Sequence, residues 1–113
     1  MKILVAEDDA DIRDLLEIAC LTLGHTVRLA RDGQEAWEMF VVDGADVIIS
    51  DWLMPRMQGT ELCRLVRQAE GIPYVYFVIL TALDSEEHML QGMQAGADDY
   101  LAKPFTIGAL QAR

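Results

Sequence analysis

Cysteine is scarce in this chain: Cys20 and Cys63 stand alone, without a CxxC spacing. That argues against redox and metal-binding roles, and each thiol falls where a helix would turn its apolar face inward, as a buried structural residue does. Basic residues are also few, with nine Lys and Arg against 19 Asp and Glu and a formal net charge of −10. A domain this acidic repels a phosphate backbone, so direct nucleic-acid binding is not expected. No apolar run is long enough to span a bilayer. The opening run Met1-Lys2-Ile3-Leu4-Val5-Ala6 is cut short by Glu7-Asp8-Asp9 and lacks the length and cleavage signature of a signal peptide. The expected location is therefore the cytoplasm. No repeats, linkers or low-complexity segments interrupt the 113 residues, which suit one domain over 1–113.

What is present is an alternation of short apolar runs and longer helical stripes. Lys2–Ala6, Val47–Ser50 and Tyr74–Leu80 are nearly continuous apolar runs, the pattern of strands covered on both faces in a parallel sheet. Thr26–Ala30 and Asp99–Ala102 are weaker strand candidates. Between them, Ile12, Leu15, Leu16, Ala19, Cys20 and Leu23 make one helical stripe, closed by Gly24. Ala36, Trp37, Phe40 and Val41 make a second, and Leu62, Leu65 and Val66 a third. A fourth helix is expected from Asp84-Ser85, with Glu87 in a capping box, Met89, Leu90 and Met93 inward, and Gly96 at its close. Thr106, Ile107 and Leu110 begin a fifth that Arg113 cuts short, which suggests a fragment of a longer protein. His25 and His88 read as unpaired surface residues. The pattern predicts five strand–helix units: an α/β three-layer sandwich around a five-stranded parallel sheet with right-handed crossovers.

In such a sheet, ligands bind outside the carboxyl ends of the strands. Glu7-Asp8-Asp9 follows the first strand, Asp51 the third, Thr81-Ala82 the fourth and Lys103-Pro104 the fifth. Two carboxylates about 4 Å apart repel by roughly 4 kcal/mol at an effective dielectric near 20, so a cation is needed among several. An all-oxygen site of this kind suits magnesium or manganese. An ionised Asp51 beside a metal and Lys103, with Thr81 as a hydrogen-bond donor, is equipped to attack phosphorus. Each residue alone has a plainer reading. Asp9 is expected to cap the first helix, Asp51 alone reads equally as a turn residue or a site, and Thr81 and Lys103 alone are unremarkable. Their joint placement after four strands favours the chemistry.

Those segments resemble bacterial response-regulator receiver domains over essentially the whole chain. The carrying stretches are Ile3-Leu4-Val5-Ala6-Glu7-Asp8-Asp9, Ile48-Ile49-Ser50-Asp51-Trp52-Leu53-Met54-Pro55 up to Gly59, Ile79-Leu80-Thr81-Ala82, and Gly96-Ala97-Asp98-Asp99-Tyr100-Leu101-Ala102-Lys103-Pro104-Phe105. The resemblance implies a flavodoxin-like (βα)5 fold with strand order 2-1-3-4-5 and a truncated last helix. It implies that Asp51 is the phospho-acceptor, and that Glu7, Asp8, Asp51 and the backbone carbonyl of Leu53 hold Mg2+ or Mn2+. Thr81 and Tyr100 match the family's switch pair, and Lys103 the lysine that contacts the phosphoryl group.

The implied cycle runs from a sensor histidine kinase or phosphotransfer protein to Asp51. It then biases a surface of the fourth helix, fifth strand and fifth helix that meets an output domain or protein, or a second copy as a phosphorylation-dependent homodimer. Such a domain catalyses only its own phosphorylation and dephosphorylation, so it is a switch rather than a turnover enzyme. Leu53 and Leu83 flank the site where relatives can carry polar groups, and two leucines there would hinder an attacking water and lengthen the phosphorylated state. Two rivals fit less well. An aspartate-nucleophile phosphatase wants a second acid where Leu53 stands, and a nucleotide-binding domain would want a Gly-rich loop where Glu7-Asp8-Asp9 stands. A receiver-like module that docks without phosphorylation would usually lack an acid, Thr or Lys of the set, and none is missing.

Overall fold

A computed structural model describes residues 1–81 and 94–102 of the chain. The described elements are β1 (Lys2–Ala6), α1 (Ala10–Thr22), β2 (Thr26–Ala30), α2 (Gly33–Asp43), β3 (Val47–Asp51), α3 (Gly59–Gln68), β4 (Tyr76–Thr81) and β5 (Asp99–Ala102). All five strands join one parallel sheet in the order β2-β1-β3-β4-β5. The expected order and strand content hold. Calls on residues 82–93 and 103–113 lie outside the described residues. They include Leu83, the start of the fourth helix, His88, Lys103 and the short fifth helix.

Alternation along the strands divides the core into two layers. Leu4, Ala6, Ile48, Phe77 and Ile79 face α2 and α3, meeting Ala36, Phe40, Leu62, Cys63 and Val66. Ile3, Val5, Ile49, Val78, Leu80 and Leu101 point the other way, onto Leu16, Ala19 and Cys20 of α1. Both faces of the sheet are therefore apolar, which is why its strands read as unbroken runs. The two thiols are buried, and burial pushes the Cys63 thiol up to about 11.

The helix ends follow their caps. The Asp9 carboxylate accepts the amides of Asp11 and Ile12, at 2.9 and 3.2 Å, as the cap reading expected. Gly24 takes φ +85° just past α1, a conformation that costs glycine little. Gly96 likewise follows the helical residues Gln94 and Ala95.

Three readings need correction. Leu15 and Leu23 of the α1 stripe and Val41 of α2 are exposed, at 42, 37 and 63%, because the sheet covers a narrower arc of each helix than the apolar pattern spans. β4 begins at Tyr76 rather than Tyr74, since Arg67 Nη1 takes the Val75 carbonyl at 2.6 Å. His25 is half-buried, with Nδ1 3.5 Å from the Met1 amine.

No helix among the described residues is long and apolar enough to cross a membrane.

Candidate functional site

The carboxyl ends of β1, β3 and β4 lie side by side. Ala6 pairs with Ser50, and Asp51 with Leu80, so Glu7 and Asp8 emerge from β1 next to the end of β3. Glu7 and Asp51 are buried while Asp8 is exposed, and one carboxylate oxygen from each lies within 4.8 Å of the others. Thr81, also buried, ends β4 beside Asp51 and pairs with Ala102 of β5. The structure thus brings Glu7, Asp8, Asp51 and Thr81 to one rim, as the sequence pattern anticipated. Lys103 follows the last described residue of β5.

Backbone bonds fix the rim. The Glu7 amide donates to Ala30 O at 3.1 Å, and Arg13 Nη1 donates to Glu7 O at 3.0 Å. The Trp52 amide lies 2.9 Å from Asp51 Oδ1 and 2.9 Å from Leu80 O, so it holds the carboxylate of β3 against the end of β4. Ser50 Oγ donates to Asp51 O at 2.9 Å.

The loop after Asp51 is tightly folded. Gly59 donates to Trp52 O at 2.8 Å, and a Cβ on Gly59 would sit 2.3 Å from the Asp51 carbonyl oxygen. Gly33, at the start of α2, abuts Met57 O as closely, with a built Cβ at 2.3 Å. Arg56 adopts φ +69°, and its guanidinium lies 3.3 Å from the Asp32 carboxylate that caps α2. Leu53 exposes 53% of its surface at this mouth, while Met54 is buried.

Donor chemistry decides what the cluster can hold. Three carboxylates supply only oxygen, and their mutual repulsion is relieved by a hard divalent cation. Magnesium or manganese fits such a set, whereas zinc would favour nitrogen and sulfur donors. The residues present suit the metal.

Two features escaped the sequence reading. The Trp52 and Tyr100 rings stack, with centroids 6.4 Å apart and planes inclined at 27°. At the opposite end of the sheet, Arg67 donates to Gly96 O at 2.8 Å and to Asp98 Oδ2 at 2.7 Å. Asp98 also accepts the Phe77 amide at 2.8 Å and the Tyr74 hydroxyl.

Comparison with known proteins now decides the family. Residues 3–113 match the family described as the response regulator receiver domain. The chain belongs to that family. The receiver domain is 43% identical to response regulator MprA of Mycobacterium ulcerans, over all of this chain and 48% of that protein. Against MprA of Mycobacterium tuberculosis the identity is 41%, over all of this chain and 48% of that protein. The receiver domain therefore spans about half the length of the curated relatives it matches. Among solved structures, it aligns with the receiver domain of the Francisella response regulator 1452 at TM-score 0.90 and 38% identity. That alignment covers 99% of this chain and 91% of the other. Vibrio cholerae chemotaxis protein CheY4 aligns at TM-score 0.91 and 33% identity, covering 98% of this chain and 92% of the other. The receiver domain is accordingly a signalling module of two-component systems, with an acidic cluster at the expected rim.

Proposed function

We propose that this receiver domain accepts a phosphoryl group on Asp51 in a reaction that requires Mg2+ or Mn2+. The observation that carries the reading is the meeting of Glu7, Asp8 and Asp51 oxygens within 4.8 Å of one another. Asp8, Asp51, the Leu53 carbonyl and, through water, Glu7 are the groups that would hold the metal. When bound, the metal neutralises charge that builds on the phosphoryl oxygens during transfer.

The chain's own residues do the rest. A carboxylate oxygen of Asp51 attacks phosphorus, and the bond from phosphorus to the donor's imidazole nitrogen or acyl oxygen breaks. Its electron pair leaves with the donor. The Trp52 amide orients the Asp51 carboxylate by its 2.9 Å hydrogen bond. Thr81 donates to one phosphoryl oxygen and Lys103 pairs with another. Thr81 and Tyr100 then form the switch that carries the new state to the output surface. In the separate resetting step water attacks phosphorus, and the bond from phosphorus to the Asp51 oxygen breaks with its electron pair left on the carboxylate. Phosphate leaves with the water's oxygen, and the water's proton is released to solvent. The exposed leucine at position 53 narrows that water's approach and lengthens the phosphorylated state.

The donor is a sensor histidine kinase or a phosphotransfer protein. The receiver in turn acts on an output domain or protein, or on a second copy of itself, in the cytoplasm. Hydroxylamine converts acyl phosphates to hydroxamates, so it marks the acceptor carboxylate. After acetyl phosphate and Mg2+, peptide mapping is expected to find one hydroxamate, on Asp51. A hydroxamate on another acid, or none on a folded chain, would overturn the reading.

A further inference from the structure

Trp52 touches both the proposed acceptor, Asp51, and one member of the proposed switch, Tyr100. Its amide donates to Asp51 Oδ1 at 2.9 Å and its carbonyl accepts the Gly59 amide at 2.8 Å, so its backbone is held on both sides. Its indole is buried and stacks on the ring of Tyr100, 6.4 Å away between centroids. Tyr100 lies on β5, opposite Ile79 of β4, and is itself 9% exposed. One residue thus separates the acceptor carboxylate from the aromatic switch, along a route distinct from Thr81.

We infer that Trp52 is a positioning residue for the switch: its indole is the wall that holds the Tyr100 ring inward, and its amide ties that wall to the state of Asp51. The inference rests on the roles proposed above for Asp51 and Tyr100. Aromatic pairs in this geometry favour contact beyond simple area burial. The amide bond to an ionised carboxylate is charge-assisted, and it weakens when the carboxylate is neutralised or esterified. The same amide also donates to Leu80 O at 2.9 Å. Loss of that charge therefore shifts the amide toward the Leu80 carbonyl, and the Trp52 ring moves against Tyr100.

The test labels the full chain with 3-fluorotyrosine and follows the Tyr100 resonance by 19F NMR, assigned with Tyr100→Phe. Inward denotes the buried ring position and outward a solvent-exposed one. In the resting protein, Trp52→Leu is expected to shift the inward-to-outward ratio of Tyr100 toward outward by roughly 2- to 10-fold. Trp52→Phe keeps a ring and should restore most of it, which also guards against a variant that merely unfolds. Trp37→Leu serves as the control, because Trp37 stacks on Phe40 at 6.0 Å and should leave the ratio unmoved.

The link to the acceptor is read from Asp51→Asn. That change should move the ratio by at least about 2-fold with Trp52 in place, and by less than that in the chain carrying Trp52→Leu. A ratio unchanged by Trp52→Leu, or moved equally by Trp37→Leu, would overturn the wall. Equal effects of Asp51→Asn in both backgrounds would overturn the link. None of these arms uses a phosphoryl donor, so their failure is distinct from a failure to phosphorylate Asp51.

Discussion

At the residue scale, the proposed acceptor Asp51 is shaped by what its neighbours lack. Gly59 has no Cβ, and one placed there would come 2.3 Å from the Asp51 carbonyl oxygen and 3.0 Å from Ser50 Oγ. Backbone cannot yield cheaply, so Gly59→Ala is expected to cost about 1–3 kcal/mol and to displace Asp51. Urea unfolding checks the first effect and the rate of acetyl phosphate labelling the second. Cys63 offers a pH test. Its folded pKa, raised to about 11 by burial, lies above the unfolded value, so the folded state holds the proton longer. The contribution is complete below about pH 8.5 and is lost as pH rises toward 11. Cys63→Ala should therefore flatten the decline of urea midpoint with pH in that window, and an unchanged slope would contradict it. The rim acids were legible in the sequence because strand ends are marked by apolar runs that stop abruptly. The crowding at Gly33 was not, since its neighbour Met57 arrives only through the folded loop.

Elements show where pattern reading succeeds and fails. Asp9 sits next to two proposed metal ligands, yet its carboxylate is spent on the amides of Asp11 and Ile12. Asp9→Ala should cost about 1 kcal/mol in urea unfolding while Mg2+ titration, followed by Trp52 fluorescence, stays as in the native chain. A large loss of Mg2+ affinity would make Asp9 a ligand. Helical stripes were over-read because apolar spacing marks a face without saying how much of it a sheet covers. Ile18, Leu21 and Val42, which the stripes left out, are exposed as that reading implies. The clasp of Arg67 on Asp98 joins residues 31 apart in sequence, a distance over which no local signal operates. Asp98 meets the Arg67 guanidinium, the Phe77 amide and the Tyr74 hydroxyl, and both members of the ion pair are mostly buried. Asp98→Ala removes the acceptor of the Phe77 amide and the carboxylate paired with the Arg67 guanidinium, and should cost about 2–4 kcal/mol, read as a fall in urea midpoint. A cost below about 0.5 kcal/mol would reduce the clasp to an ordinary surface contact.

For the whole molecule, alternation and handedness leave few topologies open, and the family resemblance implied which strand order among them is adopted. The order β2-β1-β3-β4-β5 sets the ends of β1, β3 and β4 together, and that placement turns separate acids into one cluster. The same topology puts Tyr100 of β5 within reach of Trp52, a contact that no spacing rule joins. The parallel α/β class and the acidic rim were thus readable from period and strand ends, whereas ring contacts and clasps depend on side chains that meet only after folding. The central claim is that Asp51 takes the phosphoryl group with a metal's help. Intact mass after incubation with acetyl phosphate, with and without Mg2+, tests it on the native chain and on Asp51→Asn. The account predicts a single phosphoryl adduct that needs Mg2+ and vanishes in the variant; an adduct that persists in Asp51→Asn, or none on a folded, Mg2+-binding native chain, would contradict it.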